Sequence, residues 1–522
     1  MIGVQIQGLT VRGPQGVMVE PFDATIAPGR TLAIIGESGS GKTLSAKSLI
    51  GLLPRGFRAA GTAVVGDITL ALDAAPAAWT SVRGSTVALL LQDPFTSLSP
   101  VHRCGDQIAW TLRAASDRRI AASELTREVA ARLAEVKLPE RVARAFPHQL
   151  SGGMRQRVAI AAALAADPKL LIADEPTTAL DASNQAEILD LLRAVQARRD
   201  LSVILISHDL GLVRGRTDDV LVMQHGVIVE RGTTGAVLSS PKHPYTRALI
   251  DADPVLAPPR DAPTSASETT PTLVQATGVT KHFGERTVLD GVDLRIGEGE
   301  IVGVVGESGS GKSTLARCIA GLEREDGGVI SFDGENLAPG RRSRTPAQMQ
   351  IVFQDPYSSL NPMMSIGSIL REALAVAHRP ASDVAELLET VGLPADFAGK
   401  RPAELSGGQR QRVAIARALA PRPRLLICDE SVSALDVSVQ AQILTLLTAL
   451  RDDLGISLLF ISHDLAVVRL LADSVTVLWD GRVIESGPCE QVLTEPRHEY
   501  TRMLVAAAHR ENTSVSAGER ED

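Results

Sequence analysis

The sequence is poor in cysteine, in aromatic residues and in long apolar runs. Aromatic residues make up 3% of the chain, and its four cysteines are Cys104, Cys318, Cys428 and Cys489. Their wide spacing excludes a compact cysteine cluster and favours reduced cytosolic thiols used as small core residues. No run of about 18 apolar residues occurs, so we expect no membrane-spanning helix. The first residues also lack the basic and apolar regions of a secretory signal.

Neither sign of charge is present in large excess. The net charge is −8 over 522 residues, which excludes a strong overall attraction to nucleic acid or anionic lipid and leaves room only for a local basic patch. The apolar fraction of 44% is enough for proper hydrophobic cores. A chain of this length predicts about two to four domains.

The chain does contain a long internal repeat. Two copies of Gly-Glu-Ser-Gly-Ser-Gly-Lys-[Ser/Thr] lie at Gly36–Thr43 and Gly306–Ser313. Each is followed, in the same order, by Gln-Asp-Pro, Leu-Ser-Gly-Gly, an apolar run ending in Asp-Glu, and Ser-His-Asp. From the Leu-Ser-Gly-Gly onward the two copies stay in register. One such loop would indicate a nucleotide, and two full sets predict two nucleotide sites.

The repeat also sets the domain organisation. In each half the pattern alternates strand and helix, which predicts an α/β domain with a mostly parallel sheet. Segments of about 101–148 and 363–403 are rich in Ala, Leu, Glu and Arg and are interpreted as inserted helical subdomains. The predicted division is domain 1 at 1–250, a Pro-rich linker at 251–271, domain 2 at 272–510, and a polar tail at 511–522 that we expect to be disordered.

The glycine-rich loops predict triphosphate binding. Their backbone N–H groups can surround the β- and γ-phosphates, and the following helix adds partial positive charge at its N-terminus. The apolar stretches Thr31–Ile35 and Ile301–Val305 precede them as predicted buried parallel strands. The residues expected to bind the triphosphate are Gly36, Ser38, Gly39, Gly41, Lys42 and Thr43 in the first half, and Gly306, Ser308, Gly309, Gly311, Lys312, Ser313 and Thr314 in the second.

Carboxylates, histidines and glutamines recur at matching positions downstream. The predicted strands Leu170–Glu175 and Leu425–Glu430 each end in Asp-Glu. Burying two unpaired carboxylates is costly, and a cation and a polarised water would offset that cost better than ordinary strand-end capping. His208 and His463 could each be a satisfied core residue, but their repetition favours a function. Each Gln-Asp-Pro could be a plain turn, but its amide oxygen can ligate Mg²⁺.

Together these motifs resemble the nucleotide-binding domain of an ATP-binding cassette (ABC) ATPase, twice over and across nearly the whole chain. The resemblance implies two tandem P-loop ABC domains that hydrolyse ATP with Mg²⁺. It implies general bases that polarise water, aided by histidines at the γ-phosphate, and glutamines that face a membrane subunit. The implied catalytic residues are Glu175, His208, Glu430 and His463. The implied metal-site residues are Thr43, Gln92, Asp174, Ser313, Gln354 and Asp429.

The Leu-Ser-Gly-Gly motifs predict a second anion site in each half. A serine and two glycines at a helix N-terminus can bind an anion, yet each half already has a phosphate loop. The resemblance implies a head-to-tail arrangement in which each motif serves the other half's ATP, with Ala179–Asp181 and Ala434–Asp436 crossing between the halves. The first site would join Lys42 to Ser406, Gly407, Gly408 and Gln409; the second would join Lys312 to Ser151, Gly152 and Gly153.

The two halves differ at the position that the family uses to stack an aromatic ring on adenine. The second half has Phe283 there, whereas the first has Gly13 beside Arg12. A guanidinium can lie on the base, but losing an aromatic stack costs roughly 1–3 kcal/mol. We therefore expect weaker ATP binding at the first site. No catalytic lysine, carboxylate or histidine is missing, so we expect both sites to hydrolyse ATP.

A motif after each domain indicates the branch of the family. His-x-Tyr-Thr-Arg occurs at His243–Arg247 and His498–Arg502, and it resembles the C-terminal extension of the dipeptide, oligopeptide and nickel importer ATPases. The segments Gln92–Pro100 and Gln354–Pro362 point the same way. The resemblance implies an importer ATPase, here fused into one chain, that lies peripherally on the cytoplasmic face of the inner membrane.

The implied partners are two integral membrane permease subunits and an extracytoplasmic substrate-binding protein. Peptide is the favoured substrate, with nickel or another small solute as the alternative. Some relatives carry an iron–sulfur cysteine cluster after the extension; none occurs here, so we predict no such cluster. A soluble tandem ATPase acting on ribosomes or DNA is disfavoured because the linker is short and not basic. An exporter is disfavoured by the extension and by the lack of a fused membrane segment.

Overall fold

The computed structural model describes residues 3–37, 39–91, 97–116, 118–177, 182–207, 209–252, 270–307, 309–353, 359–432, 435 and 437–513. The chain folds into two compact units, the first built mainly from Met1–Leu256 and the second from Ala257–His509. Each unit contains a four-stranded and a six-stranded sheet.

The strands of the first unit are β1 (Val4–Gly13), β2 (Gly16–Ile26), β3 (Thr31–Ile35), β4 (Arg58–Val65), β5 (Ile68–Ala71), β6 (Val87–Leu90), β7 (Leu170–Asp174), β8 (Ser202–Ser207), β9 (Asp219–Gln224) and β10 (Val227–Thr233). The antiparallel sheet has the order β2-β1-β4-β5 and the larger sheet the order β10-β9-β3-β8-β7-β6. In the larger sheet, β10 pairs antiparallel with β9 and the other pairs are parallel.

The helices of the first unit are α1 (Lys42–Ser48), α2 (Cys104–Ala114), α3 (Ala122–Glu135), α4 (Gly152–Ala163), α5 (Ala182–Arg199), α6 (Leu210–Val213), α7 (Thr234–Ser239) and α8 (Pro244–Ala252). α2 and α3 occupy the segment predicted to be a helical insertion. Buried apolar residues of α2, α3 and α4 pack in one cluster with residues of β6 and β7. The insertion is therefore joined to the sheet through a shared core.

The second unit repeats this topology. Its strands are β11 (Thr272–Phe283), β12 (Arg286–Gly297), β13 (Ile301–Val305), β14 (Gly327–Phe332), β15 (Glu335–Leu337), β16 (Met349–Val352), β17 (Leu425–Asp429), β18 (Ser457–Ile461), β19 (Ser474–Trp479) and β20 (Arg482–Pro488). Their orders are β12-β11-β14-β15 and β16-β17-β18-β13-β19-β20, which match the first unit strand for strand.

The helices of the second unit are α9 (Lys312–Ile319), α10 (Ile366–Val376), α11 (Val384–Thr390), α12 (Gly407–Leu419), α13 (Val437–Leu454), α14 (Leu465–Leu471), α15 (Cys489–Thr494) and α16 (Glu499–Thr513). α16 corrects one expectation, because residues 511–513 are helical rather than part of a disordered tail. The preceding Val-Ala-Ala-Ala run explains this, since alanine has the highest helix propensity. Residues 514–522 lie outside the described residues.

The central parallel strands are buried and place the motifs at one edge. All residues of β3, β7, β13 and β17 are buried, as expected for parallel strands covered on both faces. The carboxyl ends of parallel strands meet at the same edge of the sheet, where ligands of open α/β folds bind. The phosphate loops follow β3 and β13 at this edge, and the Asp-Glu pairs end β7 and β17 there.

The four cysteines are free thiols and all are buried. Burial raises the pKa of Cys104 to about 11 and that of Cys318, Cys428 and Cys489 to about 12. They pack as small apolar residues. Among the described residues, no helix has the length and apolar character needed to cross a bilayer.

Candidate functional site

The first glycine of each phosphate loop leaves no room for a side chain. A Cβ at Gly36 would lie 2.1 Å from the carbonyl oxygen of Met223, and one at Gly306 would lie 2.1 Å from that of Leu478. Gly41, which directly precedes α1, has φ +106°, a conformation that glycine adopts without steric cost. The loop is thus pressed against the end of the neighbouring strand, and its sharp turns depend on glycine.

The phosphate-loop lysines are buried and fold back over their own loops. Lys42 Nζ donates to the carbonyl oxygens of Gly36 at 2.6 Å and Glu37 at 2.8 Å. Lys312 Nζ makes the matching contacts with Gly306 at 2.7 Å and Glu307 at 2.8 Å. These bonds hold each ammonium group at the loop next to the N-terminus of the following helix. An anion placed there would meet both the ammonium charge and the helix dipole.

A hydroxyl and a carboxylate meet beside each loop. Thr43 Oγ1 donates to Asp174 Oδ1 at 3.1 Å, and Ser313 Oγ donates to Asp429 Oδ1 at 2.8 Å. Burial raises the pKa of both aspartates, although these hydrogen bonds oppose the rise. A buried carboxylate and a hydroxyl are hard oxygen donors, which suits Mg²⁺. Within the described ranges no group of three or more His, Cys, Asp or Glu forms a metal site.

The glutamates that follow these aspartates have an unusual backbone. Glu175 has φ +46° and Glu430 has φ +47°, although a residue with a Cβ avoids this region at a cost of order 1–3 kcal/mol. Their N–H groups donate to the carbonyl oxygens of Ile206 and Ile461, each at 3.0 Å. The strands were predicted to include these residues, but β7 and β17 end one residue earlier because the chain turns here.

In the second unit the glutamate pairs with a histidine. His463 Nδ1 lies 3.5 Å from Glu430 Oε1. The contact lowers the pKa of Glu430 against the effect of burial. Burial alone would lower the pKa of His463, but Glu430 raises it overall. The pair therefore has a preferred state with one negative and one positive charge.

The Leu-Ser-Gly-Gly motifs begin α4 and α12. Ser151 Oγ accepts from the N–H of Met154 at 3.4 Å, and Ser406 Oγ accepts from that of Gln409 at 3.3 Å. Gln409 Oε1 also accepts from the Ser406 N–H at 3.0 Å, which completes a reciprocal cap. Met154, at the matching position of the first unit, has no side-chain oxygen to make this second bond. The helix N-termini proposed as anion sites are thus formed in both units.

In the second unit, close packing leaves no room for a side chain at one glycine of the Leu-Ser-Gly-Gly motif. A Cβ at Gly408 would lie 2.2 Å from Val439 Cγ1 of α13, whereas one at Gly407 would have its nearest neighbour, Leu435 Cδ2, at 3.5 Å. Gly408 therefore sets how closely α12 and α13 approach. Gly407 is free of that constraint.

The residues considered for adenine binding differ in their surroundings. Phe283 is 49% exposed, and Lys281 Nζ lies 5.0 Å from its ring centroid. In the first unit Arg12 is exposed and Gly13 is partly buried. The second unit therefore presents an open aromatic ring at the end of β11, while the end of β1 presents a guanidinium and no ring.

The sequence did not reveal a contact between each C-terminal extension and its phosphate loop. The N–H of Glu37 donates to the hydroxyl oxygen of Tyr245 at 3.0 Å, and the N–H of Glu307 donates to that of Tyr500 at 2.9 Å. The tyrosines are those of His-x-Tyr-Thr-Arg. The repeated motif was a signal that the residues matter, but a contact over 208 residues cannot be read from spacing.

A carboxylate fixes the start of each extension. Glu230 accepts from the N–H groups of Lys242 at 2.8 Å and His243 at 3.0 Å. Glu485 accepts in the same way from Arg497 and His498. Burial raises the pKa of both glutamates, but neighbouring threonine hydroxyls and these N–H groups lower it by more. The extensions are held by the same bonds in both units.

Several predicted positions lie outside the described residues. They are Ser38, Gln92, His208, Ser308, Gln354, the crossing segment 179–181, Ala434, Asp436 and the linker from 253 to 269. For the rest, each unit brings together a glycine-rich loop, its lysine, a hydroxyl–aspartate pair and a strained glutamate. This set can bind a triphosphate with Mg²⁺ and place a base beside it.

Two family models match the chain. The model described as ABC transporter matches residues 19–178 and 289–433. The model described as oligopeptide/dipeptide transporter, C-terminal region, matches residues 229–286 and 484–519. The first covers the loops, Leu-Ser-Gly-Gly motifs and Asp-Glu pairs of both units. The second covers both His-x-Tyr-Thr-Arg segments.

Curated relatives match over nearly the whole chain. The peptidoglycan transport ATP-binding protein YejF of Agrobacterium fabrum (strain C58) is 42% identical over 95% of this chain and 94% of its own length. The glutathione import ATP-binding protein GsiA of Escherichia coli (strain K12) is 41% identical over 94% and 86%. A solved structure of the archaeal ribosome recycling factor aABCE1 with a ribosomal stalk protein gives a TM-score of 0.63 over 92% of this chain and 90% of that one. At 20% identity, this last likeness shows the fold alone.

Proposed function

Because the chain belongs to the ABC transporter family and is an ATPase, we propose that it is the ATP-hydrolysing, energy-coupling subunit of an importer for di- or oligopeptides. The observation that carries the proposal is the oligopeptide/dipeptide C-terminal region in both units. Each copy contains the tyrosine that contacts its phosphate loop. A transporter-specific segment is thereby joined to the nucleotide site itself.

The chemistry follows from the residues at each sheet edge. Lys42 and Lys312 would exchange their bonds to loop carbonyls for bonds to phosphate oxygens. Mg²⁺, held by the hydroxyl–aspartate pairs, would supply charge neutralisation at the phosphates. Glu175 and Glu430 would orient and deprotonate the attacking water. In the second unit, Glu430 must exchange its contact with His463 for that water, which frees the imidazole for the γ-phosphate.

We propose that the two nucleotide sites are composite. Each triphosphate would contact one phosphate loop and the Leu-Ser-Gly-Gly helix of the other unit, so ATP would join the units and hydrolysis would release them. The capped N-termini of α4 and α12 support this, because each unit then has a second anion-binding end that its own phosphate loop does not require. Coupling to transport would follow from the change between joined and released units.

A groove in the second unit is a suitable docking surface for a permease subunit. It has a volume of about 690 Å³ and is lined by Phe353, Ser359, Asn361, Met364 and Arg417, among others. Phe353 and Ser359 come directly before and after residues 354–358, and the lining also includes Ile369 and Glu372 of α10. A membrane partner seated here would therefore contact both the helical insertion and the flanks of the glutamine expected to sense the γ-phosphate.

Co-purification distinguishes this function from that of a soluble ATPase. A tagged chain expressed in its own host should copurify from detergent-solubilised membranes with two integral membrane proteins. Co-sedimentation with ribosomes, and no such copurification, would instead support the soluble tandem ATPase. The likeness to aABCE1 gives that alternative a shared fold only.

The substrate is tested through the binding protein. We expect the extracytoplasmic substrate-binding protein that works with this ATPase to bind short peptides. Peptide uptake should require Lys42 and Lys312. The relatives' names concern peptidoglycan and glutathione rather than a metal ion, which favours a peptide over nickel. A binding protein that retains Ni²⁺ and ignores peptides would reverse this order.

A further inference from the structure

An aromatic ring from another part of the first unit fills the space beside Gly13. A Cβ built on Gly13 would lie 2.8 Å from Phe57 Cε1 and 3.2 Å from Phe57 Cδ1. Gly13 is the position that corresponds to Phe283 in the second unit. A side chain at position 13 and the ring of Phe57 therefore cannot coexist without movement. The missing aromatic residue at the end of β1 coincides with a ring that occupies its volume.

The two units exchange the chemistry of two neighbouring segments. Phe57 directly precedes β4, and Glu323 and Asp326 lie in the loop before the matching strand β14. In the second unit, Lys281 Nζ lies 3.8 Å from carboxylate oxygens of both Glu323 and Asp326. There the strand end supplies the ring and the loop supplies the charges. In the first unit, the loop supplies the ring.

The ring lies close to the phosphate loop. Met18 Cγ is 3.0 Å from the Cβ position of Gly13, and the Met18 carbonyl oxygen is 3.4 Å from the Cβ position of Gly41. One residue thus separates the Gly13–Phe57 contact from the start of α1. Phe57 is only partly buried, and it lines a groove of about 650 Å³ together with Arg12. The ring is therefore accessible rather than sealed in the core.

We propose that Phe57 is the adenine-stacking residue of the first ATP site. This inference rests on the proposed nucleotide function of the first unit and replaces the sequence-based assignment of Arg12. The ring lies beside the Cβ position of Gly13, the residue that corresponds to Phe283, although a different element carries it. Because a ring is present, the first site does not have to bind ATP more weakly than the second.

The test isolates the first site and separates the contribution of the adenine base to affinity from that of the phosphates. In the Lys312→Ala variant the first phosphate loop is the intact one, and calorimetry would measure the Kd of ATP and of inorganic tripolyphosphate. Phe57→Leu keeps apolar volume but removes the π face, while Phe57→Trp retains a ring. We expect Phe57→Leu to raise the Kd of ATP about 5- to 150-fold, the range expected for one stacked base, with tripolyphosphate unchanged. Phe57→Trp should bind ATP like the parent.

Matched variants decide the remaining outcomes. Phe283→Leu in a Lys42→Ala background should show the same selective loss at the second site. An unchanged Kd for ATP in Phe57→Leu would overturn the proposal, as would an equal loss for tripolyphosphate or a selective loss seen with Arg12→Ala instead. A parent that bound neither ligand would contradict the nucleotide function of the first unit, which is a separate failure.

Discussion

The Glu430–His463 pair links the stability of the second unit to pH. The raised pKa of His463 means that its contribution to stability is complete below the ordinary value of 6.5 and is lost as pH rises through the folded value. The lowered pKa of Glu430 means that its contribution is complete above 4.5 and is lost as pH falls through the folded value. The pair therefore stabilises the nucleotide-free unit most between these two ordinary values.

We predict that His463→Gln destabilises the nucleotide-free chain most at about pH 5.5 and progressively less above neutral pH, because the imidazole of the parent is then uncharged. Thermal unfolding of parent and variant across pH 4.5–8.5 measures the difference. His148→Gln is the control, since His148 is exposed and its replacement should change the stability little. A difference for His463→Gln that does not vary with pH would contradict the pairing.

The strained glutamates give a second prediction at the level of single residues. Glu175→Gln and Glu430→Gln, made separately, should each reduce ATP turnover by about a hundredfold or more at the affected site, because a general base contributes 10²–10⁴-fold. ATP affinity should be retained, since the amide keeps the shape of the carboxylate. Single-turnover hydrolysis and ATP titration separate the two effects. Undiminished turnover in either variant would show that site to be regulatory.

Gly408 and Gly407 form a matched pair for a stability test. Gly408→Ala places a methyl group against Val439, whose β-branched side chain has little rotamer freedom in a helix. We expect a loss of about 1–3 kcal/mol in the free energy of unfolding. Gly407→Ala meets only an ordinary contact at 3.5 Å and should be close to neutral. Denaturant unfolding measures both changes, and an equal effect of the two variants would contradict the close contact between α12 and α13.

Among the larger elements, the C-terminal extensions act on the phosphate loops. The backbone of Glu37 donates its N–H to the Tyr245 hydroxyl and accepts from Lys42 at its carbonyl oxygen. Tyr245→Phe removes the hydroxyl alone, and a hydrogen bond of this kind contributes about 0.5–1.5 kcal/mol. We expect a roughly two- to tenfold rise in the KM for ATP at the first site. The rise should be larger than any change in kcat.

Tyr500→Phe is the matched change in the second unit, where Tyr500 also stacks on Trp479 with ring centroids 5.4 Å apart. The phenyl ring keeps that stacking, so the two variants should differ little. Steady-state kinetics in backgrounds with one active site give both KM values. Unaltered ATP affinity in both variants would mean that the extensions lie against the loops without positioning them.

Much of the fold was predictable because buried parallel strands are simple apolar runs. The bounds of β3 and β13 match the prediction to the residue. The end of β7 did not match the prediction, because Glu175 adopts a positive φ and this backbone conformation cannot be read from the amino-acid composition. The loop lysines, the hydroxyls and aspartates of the expected metal sites and the serines of Leu-Ser-Gly-Gly were assigned from the repeated motifs and the family resemblance, whereas their hydrogen bonds are seen only in the structure. Tyr245 and Phe57 contact residues far away in sequence, so no local pattern could assign those contacts.

For the molecule as a whole, composite sites make a prediction about combined mutations. If the first site joins Lys42 to Ser406, then Lys42→Ala and Ser406→Arg disable the same site, and the double variant should keep about the activity of either single variant. Lys42→Ala with Ser151→Arg disables both sites and should abolish turnover. ATPase assays of the two double variants decide between the pairings. The reverse pattern would mean that each unit completes its own site.

The burial of all four thiols has a practical consequence for measuring the proposed joining and release of the two units. With pKa values of about 11 to 12, the native cysteines hold almost no thiolate near neutral pH and offer no accessible sulfur to a maleimide dye. The natural chain should thus behave as an unreactive background in labelling experiments. A fluorophore pair attached through two engineered surface cysteines, one per unit, could report separation and approach during turnover. The four native cysteines would not have to be replaced first.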